Sequence, residues 1–233
     1  MTNVASDPLH RRLASSADRA GHWMTADDDR EMQEEHGFVW DALLRTVGLD
    51  LTGLRILDAG CNQGGFLRLV ADRFAIAEGR GYDPAAAAVA EAQARTGDRP
   101  LQFAASDTVP DGWADFDVAF SHEVLYLLHD IASHAAALFD ALRAGGVYFA
   151  VIGMHDATPL IARWHRELSQ HHDLPPIYSL EGVATTFMDA GFDAEVSRLD
   201  VRFVPVRGHL DPGLSAWLRY YCDDKVVFRF TKP

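Results

Sequence analysis

The chain alternates short apolar runs with amphipathic stretches, a pattern typical of folds in which strands and helices follow one another. The apolar runs predict strands at 54–57, 79–82, 101–105, 116–120, 147–152, 196–204 and 226–230. Apolar side chains at helical spacing predict helices at about 26–47, from 66, after 84, near 131–142 and at about 179–191. The last two strands have no crossover helix pattern between them and are expected to pair antiparallel. The pattern therefore predicts an α/β domain.

The stretch 54–74 indicates a ligand-binding turn between the first strand and the next helix. The strand ends at Asp58, and small residues follow up to Gly65. Glycines let the backbone approach a ligand closely, and the free N–H groups of a helix start face that ligand. A nucleotide-binding turn is the interpretation, and the dinucleotide turn of dehydrogenases fits it as one alternative.

The residues Asp58 to Gly64 also resemble motif I of the class I S-adenosylmethionine-dependent methyltransferases, D-x-G-x-G-x-G, with Asn62 at the middle glycine. Asn tolerates left-handed backbone conformations, so the turn is expected to form. Two further acids agree with this family. Asp83 ends the second strand and is expected to accept hydrogen bonds from ribose hydroxyls. Asp107 follows the third strand, where the family commonly binds the adenine amino group, and this third acid favours the methyltransferase alternative over the dehydrogenase.

The resemblance implies a Rossmann-like three-layer sandwich with a seven-stranded, mostly parallel sheet and an antiparallel last strand. It also implies an enzyme that uses S-adenosyl-L-methionine and releases S-adenosyl-L-homocysteine. The residues expected at the cofactor are Asp58, Gly60, Cys61, Asn62, Gly64, Tyr82, Asp83, Pro84, Ser106, Asp107, Ser121, His122 and Trp23.

The tetrapeptide after the predicted fourth strand indicates which class of molecule receives the methyl group. Family members that methylate exocyclic base nitrogens or glutamine typically carry N/D-P-P-Y/F there, whereas this chain has Ser121-His122-Glu123-Val124. The sequence therefore resembles the small-molecule members, with oxygen or nitrogen as acceptor atom. His122 is the first candidate for a general base because histidine titrates near neutral pH. His155 and His165 are the next candidates, and a structural role remains the alternative for each.

The predicted organisation is one methyltransferase domain over 26–233, preceded by a tail at 1–25 that includes a possible lid at Trp23. An insertion at about 153–178 is a predicted substrate cap, since ligands bind at the carboxyl edge of open α/β sheets. The histidines of this insertion match no standard metal-ligand spacing, and no metal is expected. The aromatic segment 207–224 is left open between covering the sheet edge, bordering the substrate and contacting another subunit, so a homodimer is one possibility.

Charge and composition limit the classes of binding partner and the cellular compartment that are expected. The chain has 21 basic and 34 acidic residues, for a net charge of −13, which disfavours a nucleic acid partner because phosphate binding relies on Lys and Arg. Two cysteines without zinc spacing indicate a reducing compartment. No signal peptide or membrane-spanning window is recognised, so a cytoplasmic protein is expected. A tRNA or protein methyltransferase, or a family member that binds the cofactor without methyl transfer, remains the alternative.

Overall fold

A single mixed sheet forms the centre of the computed structural model, which describes residues 26–153, 155–156, 165–166, 175–207 and 213–233. Within these ranges the strands are β1 (Arg55–Ala59), β2 (Glu78–Asp83), β3 (Leu101–Ala105), β4 (Phe116–His122), β5 (Leu142–Ile152), β6 (Asp193–Arg198) and β7 (Val226–Thr231). Their order is β3-β2-β1-β4-β5-β7-β6. β7 runs antiparallel to both β5 and β6, and the other pairs are parallel. The predicted fold class is confirmed.

Helices connect the strands and cover the sheet. They are α1 (Ala26–Val47), α2 (Gly65–Arg73), α3 (Ala86–Ala94), α4 (Ile131–Ala141), α5 (Leu180–Asp189) and α6 (Leu214–Arg219), with a 3₁₀ turn at Leu125–Leu127 and a π-helical turn at Tyr220–Asp224. Side-chain caps begin two of them: Asp130 accepts the backbone N–H of Ala132 and of Ser133 before α4, and Ser179 accepts that of Gly182 before α5. Such caps satisfy N–H groups that have no partner within the helix. Within the described ranges, none of the helices is long and apolar enough to cross a lipid bilayer.

The core is divided between the two faces of the sheet. Successive strand residues point to opposite faces, and Ile56 accordingly joins one buried cluster while Leu57 joins the other. The first cluster contains residues of α1 and α2, and the second contains residues of α4 and α5. This division produces the three layers.

Two strands differ from the sequence prediction by more than two residues, and β4 extends past Phe120 to include Ser121 and His122. β5 begins at Leu142 rather than Val147, because Gly145 and Gly146 form an irregularity inside the strand pairing rather than a break. Gly145 N–H donates to the Lys232 carbonyl oxygen, and Gly146 accepts from Lys232 N–H. β6 ends at Arg198 rather than 204, because its partner β7 begins at Val226, opposite Arg198, and offers no further strand residues beyond that point.

Candidate functional site

The candidate site lies at the carboxyl edge of the parallel strands. Asp58 lies near the end of β1, Asp83 ends β2 and His122 ends β4, while Asp107 comes two residues after β3. In the sheet register Ala59 is opposite Tyr82, and Asp83 is opposite Ala105. The chain therefore delivers these side chains to one edge, as expected for ligand binding in open α/β folds.

The turn after β1 is closed by backbone hydrogen bonds and close packing. The N–H groups of Gly60 and Cys61 both donate to the Tyr82 carbonyl oxygen, at 2.9 and 3.0 Å. Gly60 has φ +79°, and a Cβ added there would overlap Val124 Cγ2. Asn62 has φ +46°, in the left-handed region that the sequence required of it. The turn thus packs directly against the tetrapeptide 121–124, whose first two residues, Ser121 and His122, end β4 and do not follow the strand as the sequence predicted.

Asp83 connects this turn to the start of α3. Its Oδ2 accepts from Asn62 N–H at 3.0 Å, and its Oδ1 accepts from Ala85 N–H at 2.9 Å. Burial raises the pKa of Asp83, and these two hydrogen bonds oppose that shift. Each carboxylate oxygen has two lone pairs, so each retains one that can accept from a ligand hydroxyl.

Asp58 is almost completely buried, with 4% of its surface exposed. Burial, together with the nearby charge of Asp83, raises the pKa of Asp58 to about 8. Asp58 therefore holds a proton at neutral pH in the free protein, and a cationic ligand group beside it would favour its ionised form.

The remaining predicted cofactor residues differ in accessibility. Asp107 and Pro84 are exposed, and Ser106 is half-buried with its N–H bonded to the Asp83 carbonyl oxygen at 3.0 Å.

Three further predicted cofactor residues are buried. Burial raises the pKa of the Cys61 thiol and of the Tyr82 hydroxyl. Ser121 is fully buried, and its hydroxyl lies 2.5 Å from Tyr148 Oη. This contact ties Ser121 into the core.

His122 lies beside the turn, partly buried by neighbouring side chains. Its ring makes an edge contact with His36 at a centroid distance of 4.9 Å. Burial, followed by the positive charges of Lys225 and His36, holds the pKa of His122 well below 6.5. The ring is therefore neutral at pH 7, with a buried Nε2 that has no hydrogen-bond partner in the described part of the chain.

The other two candidate bases are tied to backbone carbonyls. His155 Nε2 lies 2.7 Å from the Asp224 carbonyl oxygen, and His165 Nε2 lies 2.6 Å from that of Pro175. A carbonyl oxygen can only accept, so each Nε2 carries a proton, and in the neutral ring each Nδ1 presents a lone pair. Trp23, the tail at 1–25 and most of the predicted cap, namely 154, 157–164 and 167–174, lie outside the described residues.

A buried ion pair beside His122 was not predicted from the sequence. Lys225, only 2% exposed, donates to Glu123 Oε1. The lysine ammonium also faces the rings of Tyr220 and Tyr221, at 5.0 and 5.6 Å from their centroids. The available signal was a lysine placed directly before the apolar strand 226–230. No group of three or more His, Cys, Asp and Glu residues suited to a metal occurs among the described residues.

Comparison with known proteins finds a matching family model and several solved structures with a similar fold. A family model described as a methyltransferase domain matches residues 21–196. A chain in the complex of the Haloferax volcanii Trm112 methyltransferase activator with a protein described as a methyltransferase superposes with a TM-score of 0.76 at 21% identity, over 91% of this chain and 96% of that one.

Two further structures carry small ligands. Phosphoethanolamine N-methyltransferase 2 of Haemonchus contortus, in complex with S-adenosyl-L-methionine, matches with a TM-score of 0.62 at 23% identity, over 84% of this chain and 52% of that one. Geranyl diphosphate methyltransferase, in complex with GPP and sinefungin, matches with a TM-score of 0.67 at 19% identity, over 84% and 78%. No curated protein is similar enough in sequence to count as a match.

Proposed function

The chain belongs to the class I family of S-adenosylmethionine-dependent methyltransferases, and on that premise we propose that it methylates an oxygen or nitrogen atom of a small-molecule acceptor. S-adenosylmethionine is the cofactor. It supplies a methyl group bonded to a sulfonium sulfur. When bound, it would give this methyl group to an acceptor lone pair, and the electrons of the broken C–S bond would leave with S-adenosylhomocysteine. The protein's task is to align the two molecules and keep water away.

The fixed position of the Asp83 carboxylate is the observation that supports the proposed cofactor site. Its carboxylate is fixed by Asn62 and Ala85 N–H groups, and the remaining lone pairs suit the two ribose hydroxyls. Asp58, protonated in the free protein, would ionise beside the cationic end of the cofactor. Asp107, exposed at the same edge, would accept from the adenine amino group.

Two observations support a small acceptor. The net charge of −13 disfavours a polyanionic substrate, and the carboxyl edge next to Val124 holds a neutral histidine suited to remove a proton from a hydroxyl or N–H group. Two solved structures of this fold, phosphoethanolamine N-methyltransferase 2 and geranyl diphosphate methyltransferase, are named for small phosphorylated acceptors.

Calorimetry with S-adenosylmethionine tests the cofactor site directly, and release of S-adenosylhomocysteine with small acceptors tests the transfer. Asp83→Ala should weaken cofactor binding by about 1.5 to 3 kcal/mol, the range for hydrogen bonds to a charged group. Asp72→Ala is the matched control, because Asp72 is an exposed carboxylate on α2 that forms an ion pair with Arg99. An unchanged dissociation constant in Asp83→Ala would remove this residue from the site.

A second candidate is a methyltransferase that works with an activator protein on a tRNA or protein substrate. The similarity to the chain from the Trm112 complex favours it. Gel filtration of the chain with a Trm112 protein tests it: co-elution together with transfer to tRNA or protein would support this candidate, and separate elution would count against it.

A further inference from the structure

The ion pair between Glu123 and Lys225 lies at the carboxyl edge of the sheet, next to His122 in the chain. Glu123 directly follows β4, and Lys225 directly precedes β7, which starts at this edge because it is antiparallel. The two side chains are 12% and 3% exposed. A buried charge without a partner is costly, so the carboxylate and the ammonium act as one neutral unit.

The surrounding contacts fix the carboxylate in position. Glu123 N–H donates to the Val151 carbonyl oxygen at 2.9 Å, and Glu123 itself has φ +61°. A Cβ added at Gly153 would lie 2.7 Å from Tyr220 Oη and 2.8 Å from Glu123 Oε1. Gly153 therefore leaves the space that the carboxylate and the tyrosine occupy.

Two acceptor atoms around this pair are left without donors. Glu123 Oε2 and His155 Nδ1 are both buried, and neither receives a hydrogen bond from any residue that the structure describes. His155 belongs to the same group, because its Nε2 bonds the carbonyl of Asp224, the neighbour of Lys225. Buried polar atoms are normally paired, and an unpaired one costs about 1 to 3 kcal/mol. Val124, the residue after Glu123, packs on Gly60, so the segment that carries Glu123 contacts the cofactor turn.

We propose that Glu123 is an acceptor-binding residue whose Oε2 accepts a hydrogen bond from an uncharged hydroxyl or N–H group of the substrate, while His155 Nδ1 accepts a second. This inference rests on the proposed methyl transfer. It narrows the substrate class to uncharged polar molecules with at least two hydrogen-bond donors, such as phenols, alcohols and N–H heterocycles that carry a second hydroxyl or N–H group.

Charge explains why the bound group is uncharged. Lys225 neutralises Glu123, and the low pKa of His122 keeps that ring neutral as well. A cationic amine would be repelled by the cofactor's sulfonium group, and the neutral pair Glu123–Lys225 has no net negative charge to offset that repulsion. A carboxylate would bring acceptor oxygens against two acceptor atoms. An uncharged donor has neither conflict.

The test measures release of S-adenosylhomocysteine by the full chain with small acceptors of three classes: uncharged phenols, alcohols and N–H heterocycles; amines; and carboxylates. Turnover should be confined to the first class. In Glu123→Gln, kcat/KM for an uncharged acceptor should fall about 10- to 100-fold, while the S-adenosylmethionine dissociation constant changes less than about twofold. Glu195→Gln is the matched control, because Glu195 forms an exposed ion pair with Arg229, and its kinetics should not change.

Glu123→Gln has a second expected result that structural damage would not produce. Without the carboxylate, the Lys225 ammonium is uncompensated, so kcat/KM for carboxylate acceptors should rise relative to the other classes. Should Glu123→Gln fail to fold, the double variant Glu123→Gln/Lys225→Met removes both charges, and it should show the same loss with uncharged acceptors but no gain with carboxylates.

Two results would overturn the inference and leave the methyltransferase function standing: unchanged kcat/KM in Glu123→Gln with intact cofactor binding, or equal turnover of charged and uncharged acceptors. Absence of transfer to every acceptor, with the cofactor bound, would instead overturn the proposed function and this inference with it.

Discussion

Burial of Asp58 beside Asp83 gives the free protein a measurable pH dependence of stability. The pKa of Asp58 is about 8 in the folded chain and about 3.9 when unfolded. Between these values the folded state holds one more proton than the unfolded state. The contribution of Asp58 to the free energy of unfolding therefore falls by about 1.4 kcal/mol for each pH unit of increase. Denaturant unfolding of the cofactor-free protein from pH 5 to pH 8 should show this slope as the difference between wild type and Asp58→Asn.

Asp58→Asn keeps the shape of the side chain and removes its titration, so other groups cancel in the comparison. Parallel stability curves for the two proteins would contradict a raised pKa. The position of Asp58 was predictable from the motif. Its protonation was not, because that depends on burial and on the distance to Asp83, 25 residues away in the chain.

The low pKa of His122 predicts an acid-tolerant reaction. A general base acts in its neutral form, and the pKa of His122 lies well below 6.5 because of burial and the nearby Lys225. At saturating S-adenosylmethionine, kcat should hold nearly constant from pH 7 to pH 6, a range over which an ordinary histidine would lose about two thirds of its neutral form.

His122→Ala should lower kcat roughly 100-fold or more while cofactor affinity stays nearly intact, and the exposed His129→Ala serves as the control. A loss of activity with a midpoint near pH 6.5, or an unchanged rate in His122→Ala, would exclude this role. The sequence identified His122 by its place just after the predicted fourth strand at 116–120, and the structure makes it the last residue of β4. The Lys225 partner of Glu123 could not be found in this way, because the two residues are 102 positions apart.

At the scale of the elements, the contact between Gly60 of the glycine turn and Val124, two residues after β4, couples the two halves of the site. Gly60→Ala should destabilise the protein by about 2 to 5 kcal/mol, since left-handed strain and overlap with Val124 add. Gly53→Ala is a matched control with a similar φ of +75° and no described atom within 4 Å of the added methyl. It should cost only about 1 to 2 kcal/mol. Thermal and denaturant unfolding measure both, and equal losses would show that the Val124 contact carries no energy.

Element boundaries were predictable wherever local pattern decides them. Helix α1 covers 26–47 as predicted, and β3 covers 101–105. The ends of β5 and β6 were wrong in the sequence prediction, because strand length depends on the partner. The apolar residues after Arg198 continue the strand pattern, but β7 has no residue left to pair with them.

At the scale of the whole molecule, the fold followed from three acids spaced at the ends of successive strands, and the family model confirms the resemblance. The acceptor did not follow in the same way. The segments that the sequence assigned to the tail and the cap match no pattern of their own. The buried pair Glu123–Lys225 joins β4 to β7, which only the finished sheet brings together.

Because the proposed cofactor site is built from the ends of β1, β2 and β4 and the loop after β3, cofactor binding should stabilise the entire sheet as one unit. At a concentration 100 times its dissociation constant, S-adenosylmethionine should add about 2.7 kcal/mol to the free energy of unfolding. For a chain of this size that corresponds to a rise in Tm of roughly 5 to 11 °C. NAD at the same concentration should leave Tm unchanged, and Asp83→Ala should reduce the shift at a fixed cofactor concentration. A shift with NAD, or a cofactor effect that is the same in Asp83→Ala, would mean that the ligand is not held at the end of β2.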